Sequence, residues 1–263
     1  MLAGRREALL EPNRHFRRGA SILPSLFTTG NLFLGFWAII KTLDGQFAEA
    51  APLIGGAAVL DILDGRIARL TNTQSEFGAQ LDSLADAVSF GVAPALLAFA
   101  WGLHLVPRAG WPAAFLFLMC GVLRLARFNV QKNVVDARFF VGLPIPAAAA
   151  QVAAVVFVLP EPPGERWQAG LVLALVVVAA FLMVSTFRYR SFKGVDLRRR
   201  RSYTSVLGIA LLFLLVAAQP EATLIAATSA YTLSGPLAWG FGTLRRRSLP
   251  PLPQAAGEPP PNR

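Results

Sequence analysis

The sequence predicts an all-α protein, a polytopic transmembrane helical bundle of about eight spans with both termini cytoplasmic. Three observations lead there. Hydrophobic residues make up 54% of the 263-residue chain and charged residues only 15%, where an ordinary soluble domain carries about 25% charge. The apolar residues gather into blocks of about 20 residues, enough to cross about 30 Å of hydrocarbon as helices. The basic residues, finally, fall almost entirely on one side of such a bundle.

Taken in order, the blocks cover residues 23–41, 47–66, 80–104, 110–128, 144–160, 168–187, 203–219 and 222–243. They leave no room for a separate soluble domain. The expected organisation is a basic cytoplasmic segment over 1–22, one membrane domain over 23–243, and a basic then proline-rich tail over 244–263. The tail's composition predicts disorder. The polar, basic stretch before Gly19 and the long apolar run after it argue against a cleavable signal peptide. Cys120 lies alone in an apolar run, which excludes an intramolecular disulfide framework and predicts a packing role.

With eight spans and cytoplasmic termini, all but Lys41, Arg108 and Arg166 of the 25 lysines and arginines fall on the same side of the membrane. The positive-inside rule makes that side the cytoplasm. A net charge of +10 is thereby explained without nucleic acid, and anionic lipid headgroups are the better partner. The run Arg198–Arg201 reads as a solvated, membrane-adjacent patch. His15 and His104 have no metal-ligand partners at a useful spacing.

Against this apolar background stand Asp61, Asp64, Asp82 and Asp86, within 26 residues of one another. Each carboxylate at the centre of a membrane helix would cost about 2.5–3.5 kcal/mol. Asp61 and Asp64 fall towards the cytoplasmic end of the second block, and their i,i+3 spacing places them on one helical face. Asp82 and Asp86, at i,i+4, open the third block. A short connection through Asn72 and Gly78 makes the two helices antiparallel neighbours, so the four carboxylates are expected to converge in one cytoplasm-facing pocket. Hard oxygen ligands in that number suit Mg²⁺, Mn²⁺ or Ca²⁺. A pair of ions would suit displacement at phosphorus.

The residues between the acids fit a phosphate ligand. Gly65, Ala68 and Gly78 remove bulk where a nucleotide would approach the backbone. Arg69 can fork onto a diphosphate. A purely structural ion-pair network through Arg66 and Arg69 would neutralise two aspartates and strand two.

The pattern Asp61-x2-Asp64-Gly65-x2-Ala68-Arg69-x8-Gly78-x3-Asp82-x3-Asp86 resembles the signature of the CDP-alcohol phosphotransferases, integral membrane enzymes of phospholipid synthesis. Every fixed position is present. Within that family the chain is most similar to the integral-membrane CDP-diacylglycerol–serine O-phosphatidyltransferases (phosphatidylserine synthases). That likeness rests on Ser89-Phe90-Gly91-Val92-Ala93-Pro94, Arg124-Leu-Ala-Arg127-Phe128-Asn129, Gly142-Leu143-Pro144-Ile145-Pro146, Phe187-Arg188-Tyr189-Arg190-Ser191-Phe192-Lys193 and Ser234-Gly235-Pro236.

The resemblance implies that the hydroxyl of L-serine attacks the lipid-side phosphorus of CDP-diacylglycerol, giving phosphatidylserine and CMP. It implies that Asp61, Asp64 and Asp82 hold divalent metal, Mg or Mn, as one ion or two. Asp86 would be the general base and touch the second ion. Gly65, Ala68, Arg69 and Gly78 would line the CDP site. Asn31 matches a polar position near the nucleotide, although an interhelical hydrogen bond explains it equally well. Arg127, Asn129, Arg188, Arg190 and Lys193, at cytoplasmic helix ends, are candidates for the acceptor's carboxylate or the lipid phosphate. For any single one of these arginines, topology and headgroup anchoring are the slightly better explanation. A homodimer in the cell membrane is implied as well.

Within the same chemistry the acceptor could be glycerol 3-phosphate or an inositol phosphate, and the lipid donor could carry ether chains. A phosphorylated acceptor would want a denser cationic pocket. In another class, a divalent-cation or proton-coupled transporter would also carry membrane carboxylates, but near the midplane and with internal repeats. No repeat is visible. An inactive scaffold would have no use for all four acids.

Overall fold

The computed structural model describes residues 14–71, 75–131, 139–190, 214–215 and 217–247. It is helical, in the order α1 (Arg14–Leu43), α2 (Phe47–Thr71), α3 (Glu76–Asp86), a π-helical turn (Ala87–Val92), α4 (Ala93–Trp101), α5 (Gly110–Gln131), α6 (Ile145–Val158), α7 (Arg166–Val184) and α8 (Pro220–Arg247). Every apolar block has its helix except 203–219, which lies mostly outside the described residues, as do the basic run Arg198–Arg201 and the tail from Ser248. Among the described residues, four stretches are long and apolar enough to cross a membrane: Ser25–Leu43, Glu76–Trp101, Gly110–Val130 and Arg166–Val184.

Two local differences from the sequence reading matter. The third block is one helical run interrupted by a π turn directly after Asp86. A short antiparallel ribbon also forms, pairing β1 (Phe139–Val141) with β2 (Arg188–Arg190). It ties the start of α6 to the end of α7. Gly142 follows β1 at φ +81, and a Cβ there would lie 2.3 Å from the Met183 carbonyl oxygen.

The α1–α2 hairpin closes by standard helix-end chemistry. Gln46 N–H donates to the Lys41 carbonyl at 2.8 Å and Gly45 N–H to the Thr42 carbonyl at 3.1 Å, with Gly45 at φ +73, which together make a Schellman cap. Lys41 pairs with Glu49 at 2.7 Å across the turn. Small residues let the two helices approach: a Cβ on Gly30 would stand 3.0 Å from Leu60, and one on Gly56 3.2 Å from Leu34. In an apolar solvent, such close van der Waals packing is what holds helices together.

Short α6 lies at the centre, against α2, α4, α5, α7 and α8, with Ile145, Ala148, Ala149, Val152 and Val156 buried. Polar links attach α8. Gln151 donates to Ser229 at 3.3 Å, and Thr232 donates to Gln151 at 3.4 Å. From β2, buried Tyr189 donates its hydroxyl to the Thr232 carbonyl at 3.1 Å. Burial and neighbouring Tyr231 push that hydroxyl up to about 12, so it stays protonated and able to donate. Cys120 is buried among the core side chains.

Gly235 makes room for the Tyr189 ring, since a Cβ there would lie 2.4 Å from Cζ. Gly235→Ala is therefore expected to destabilise the fold by about 1–3 kcal/mol, seen as a lower thermal midpoint in detergent. An unchanged midpoint would contradict the clamp of α8 on the ribbon.

Candidate active site

Three of the four aspartates meet where α2 faces α3. Asp61, Asp82 and Asp86 each offer a carboxylate oxygen, and these oxygens lie within 4.8 Å of one another. Asp61 and Asp82 are half-buried and Asp86 is buried. The i,i+4 step from Asp82 to Asp86 is just over one helical turn, so both lie on one face and can meet Asp61 of α2. Ser75 starts α3 in the right place by accepting from Gly78 N–H at 3.0 Å as its N-cap. Gly78 thus belongs to the first helical turn and not to the connection.

Asp64 stands apart from the trio. Three residues advance a helix by about 300°, leaving Asp64 about 60° away from Asp61. That rotation turns its buried carboxylate to α1, where it accepts a hydrogen bond from Thr28 Oγ1. One turn along α1, Asn31 Nδ2 donates to Asp86 Oδ1 at 3.3 Å. Helix α1 carries no acid in this region, yet it orients two. The expected convergence of four carboxylates is observed for three, with Asp64 held beside them by another helix.

Metal–oxygen distances for hard divalent ions run about 2.0–2.6 Å, so oxygens sharing one ion fall within about 5 Å of each other. The spread of the Asp61, Asp82 and Asp86 oxygens satisfies that limit, and an all-carboxylate donor set is what such ions take. The trio is able to hold a divalent cation.

The remaining sequence candidates separate. Gly65 is exposed, and among the described residues a Cβ there would meet nothing within 4 Å. Internal packing gives no reason for glycine at that helical position. Ala68 and Arg69 lie on α2 with their side chains outside the described residues, and Lys193 and the Arg190 side chain are also outside them. Asn129 on α5 donates to Ser83 at 2.9 Å, which links it to α3 beside Asp82. Arg127 is half-buried and Arg188 exposed.

Two residues that sequence reasoning did not single out join the site. Thr28 is one. Its signal was present as a polar pair, Thr28 and Asn31, spaced i,i+3 within an apolar run. Arg124 is the other, the one buried arginine among the described residues. It lies within electrostatic reach of Asp86 and Tyr231, with its guanidinium 5.9 Å from the Phe128 ring centroid. In the sequence it stands only as the first residue of the stretch Arg124-Leu-Ala-Arg127-Phe128-Asn129, with no sign that it is the one to be buried.

The chain is also similar in sequence to known proteins. The model of the CDP-alcohol phosphatidyltransferase family matches residues 21–184. The chain is 38% identical over 225 residues to a CDP-diacylglycerol–serine O-phosphatidyltransferase of Helicobacter pylori, covering 84% of this chain and 92% of that one. It is 34% identical over 172 residues to the Bacillus subtilis protein of the same name, covering 65% and 91%. A third relative of that name, from Methanocaldococcus jannaschii, is 38% identical over 154 residues, covering 59% and 70%.

Gly65→Ala separates packing from ligand approach. Alanine in place of a helical glycine is expected to stabilise the fold by about 0.5–1 kcal/mol while weakening nucleotide binding. Thermal unfolding and a CMP titration check the two signs. A variant that binds CMP as tightly as wild type would remove Gly65 from the nucleotide surface.

Proposed function

We propose that this chain, which belongs to the CDP-alcohol phosphatidyltransferase family, transfers the phosphatidyl group of CDP-diacylglycerol to L-serine, giving phosphatidylserine and CMP. The convergence of Asp61, Asp82 and Asp86 carries the reaction class. The choice of serine rests on the likeness to relatives that bear that activity in their names.

In this reading Asp86 accepts the proton of the serine hydroxyl as the oxygen attacks the phosphorus that bears the diacylglycerol. The new P–O bond forms, the phosphoanhydride bond breaks, and CMP leaves with the bonding pair. A base within hydrogen-bond reach of the hydroxyl contributes about 10²–10⁴-fold. Asp61, Asp82 and Asp86, joined by Asp64, would hold the divalent metal, Mg or Mn, as one ion or two. When bound, the metal neutralises the crowded carboxylates and stabilises the charge that develops on the diphosphate.

Gly65, Ala68, Arg69 and Gly78 would line the CDP moiety, and the open space over Gly65 supports that placement. Arg127, Asn129, Arg188, Arg190 and Lys193 are the acceptor-side candidates. Among them Asn129 has a described link to the acid-bearing helix α3.

The same reading makes the chain a multi-pass protein of the cell membrane. It has about eight spans over 23–243, with both termini and the active site facing the cytoplasm. The one-sided basic residues and the four apolar helices support this. A homodimer follows from the family resemblance.

Purified protein supplied with CDP-diacylglycerol, Mn²⁺ or Mg²⁺, and one acceptor at a time provides the test. CMP release is expected with L-serine and not with glycerol 3-phosphate or inositol phosphate. Release only with a phosphorylated acceptor would overturn the serine assignment. EDTA is expected to stop release; undiminished activity would contradict the metal role. Asp86→Asn is expected to remain folded and lose about 10³-fold or more in turnover. Wild-type turnover in that variant would remove Asp86 from the mechanism.

A further inference from the structure

Asn31 is completely buried and reaches the carboxylate trio from a helix that supplies none of it. Its side chain donates to Asp86 at 3.3 Å. Its backbone carbonyl accepts from Ser89 Oγ at 3.0 Å. Asp86 and Ser89 bracket the start of the π-helical turn Ala87–Val92, so one residue of α1 grips that run at two points. Such turns are uncommon and concentrate at functional sites.

The amide's other end is informative. Among the described residues, Asn31 Oδ1 is buried with no hydrogen-bond partner. A buried acceptor left unmet is a standing cost, which an apolar residue of similar size would avoid. What the amide contributes to the described fold is the N–H it gives to Asp86 Oδ1. Gly35 sets the spacing. A Cβ there would lie 2.3 Å from Ser89 Oγ and 2.6 Å from Ser89 Cα, so α1 lies against the π turn with no side chain between. Both hydrogen bonds depend on that approach.

We infer that Asn31 is a positioning residue for the reaction: with Ser89 and Gly35 it closes a loop of contacts that fixes the Asp86 carboxylate against α1. The inference rests on Asp86 being the general base, as proposed above. It gives Asn31 a role that acts through Asp86, in place of a contact with the nucleotide. A base held slightly out of place loses rate without losing substrate, because misplacement near 1 Å costs about 10²-fold.

Steady-state kinetics and substrate binding separate the two roles. In Asn31→Ala, kcat is expected to fall about 30–100-fold, while KM for serine stays within about twofold. The affinity for CDP-diacylglycerol, measured without serine, is also expected to hold within about twofold. Ser89→Ala keeps the amide but removes its anchor, and is expected to lower kcat about 3–10-fold. Combining the two changes should cost no more than Asn31→Ala alone, as for residues that act as one unit. Ser89→Ala, the milder change, carries the test should Asn31→Ala not fold. A tenfold or greater loss of CDP-diacylglycerol affinity with kcat preserved would overturn the inference by making Asn31 a nucleotide contact. Wild-type kcat in both variants would overturn it as well. Absence of serine-dependent CMP release from the wild-type protein overturns the assigned reaction, and this inference with it, and is told apart by that control.

Discussion

Three carboxylates gathered within 4.8 Å of one another repel when ionised, and the helices that carry them, α2 and α3, both pack against α1. At an effective dielectric of about 20, each ionised pair at that separation opposes the fold by roughly 3 kcal/mol. Water would relieve this on an open surface. Here Asp86 is buried, so relief has to come from the protein and from what it binds. Asn31 supplies one donor, Arg124 supplies a positive charge within reach, and a divalent cation would supply the rest. Asp61, Asp82 and Asp86 would hold a divalent cation, and its charge would offset the crowding of the three carboxylates.

The rest of the bundle can be understood as what brings α2 and α3 together on α1 despite that repulsion. Helix α1 is central to it. Gly30 and Gly56 bring α1 onto α2, Gly35 brings it onto the π turn, and Thr28 and Asn31 then reach Asp64 and Asp86. Behind these, α6 fills the core with small and branched residues, and α8 is held through Gln151 and the Tyr189 hydroxyl. The π turn completes the pattern by letting Asp86 and Ser89 both address α1.

Much of this was legible in the residues. Block lengths marked the helices, because a membrane solvent demands long apolar runs with internally satisfied backbones. The spacing of the acids placed Asp61, Asp82 and Asp86 together, because helical periodicity fixes which side chains share a face. Periodicity could not decide Asp64, whose neighbour depends on how α1 packs, and that packing is set by tertiary contacts at Gly30 and Gly56. Arg124 was hidden for a similar reason: its burial is a property of the assembled bundle, and in sequence it resembles the anchoring arginines around it. The π turn and the ribbon had no pattern of their own, since each arises from a close approach between distant segments. For Asn31 the sequence leaves two roles open, a nucleotide contact or an interhelical hydrogen bond, and its partner Asp86 emerges only from the fold.

The proposed chemistry requires that the aspartate trio bind a divalent cation. Electron paramagnetic resonance of Mn²⁺ titrated into the purified protein, without substrate, measures this directly. Saturable binding is expected in the wild type and its loss in Asp61→Asn/Asp82→Asn, with the thermal midpoint of the metal-free variant at or above that of the metal-free wild type because the repulsion is relieved. Mn²⁺ binding of equal affinity and stoichiometry in the two proteins would contradict it.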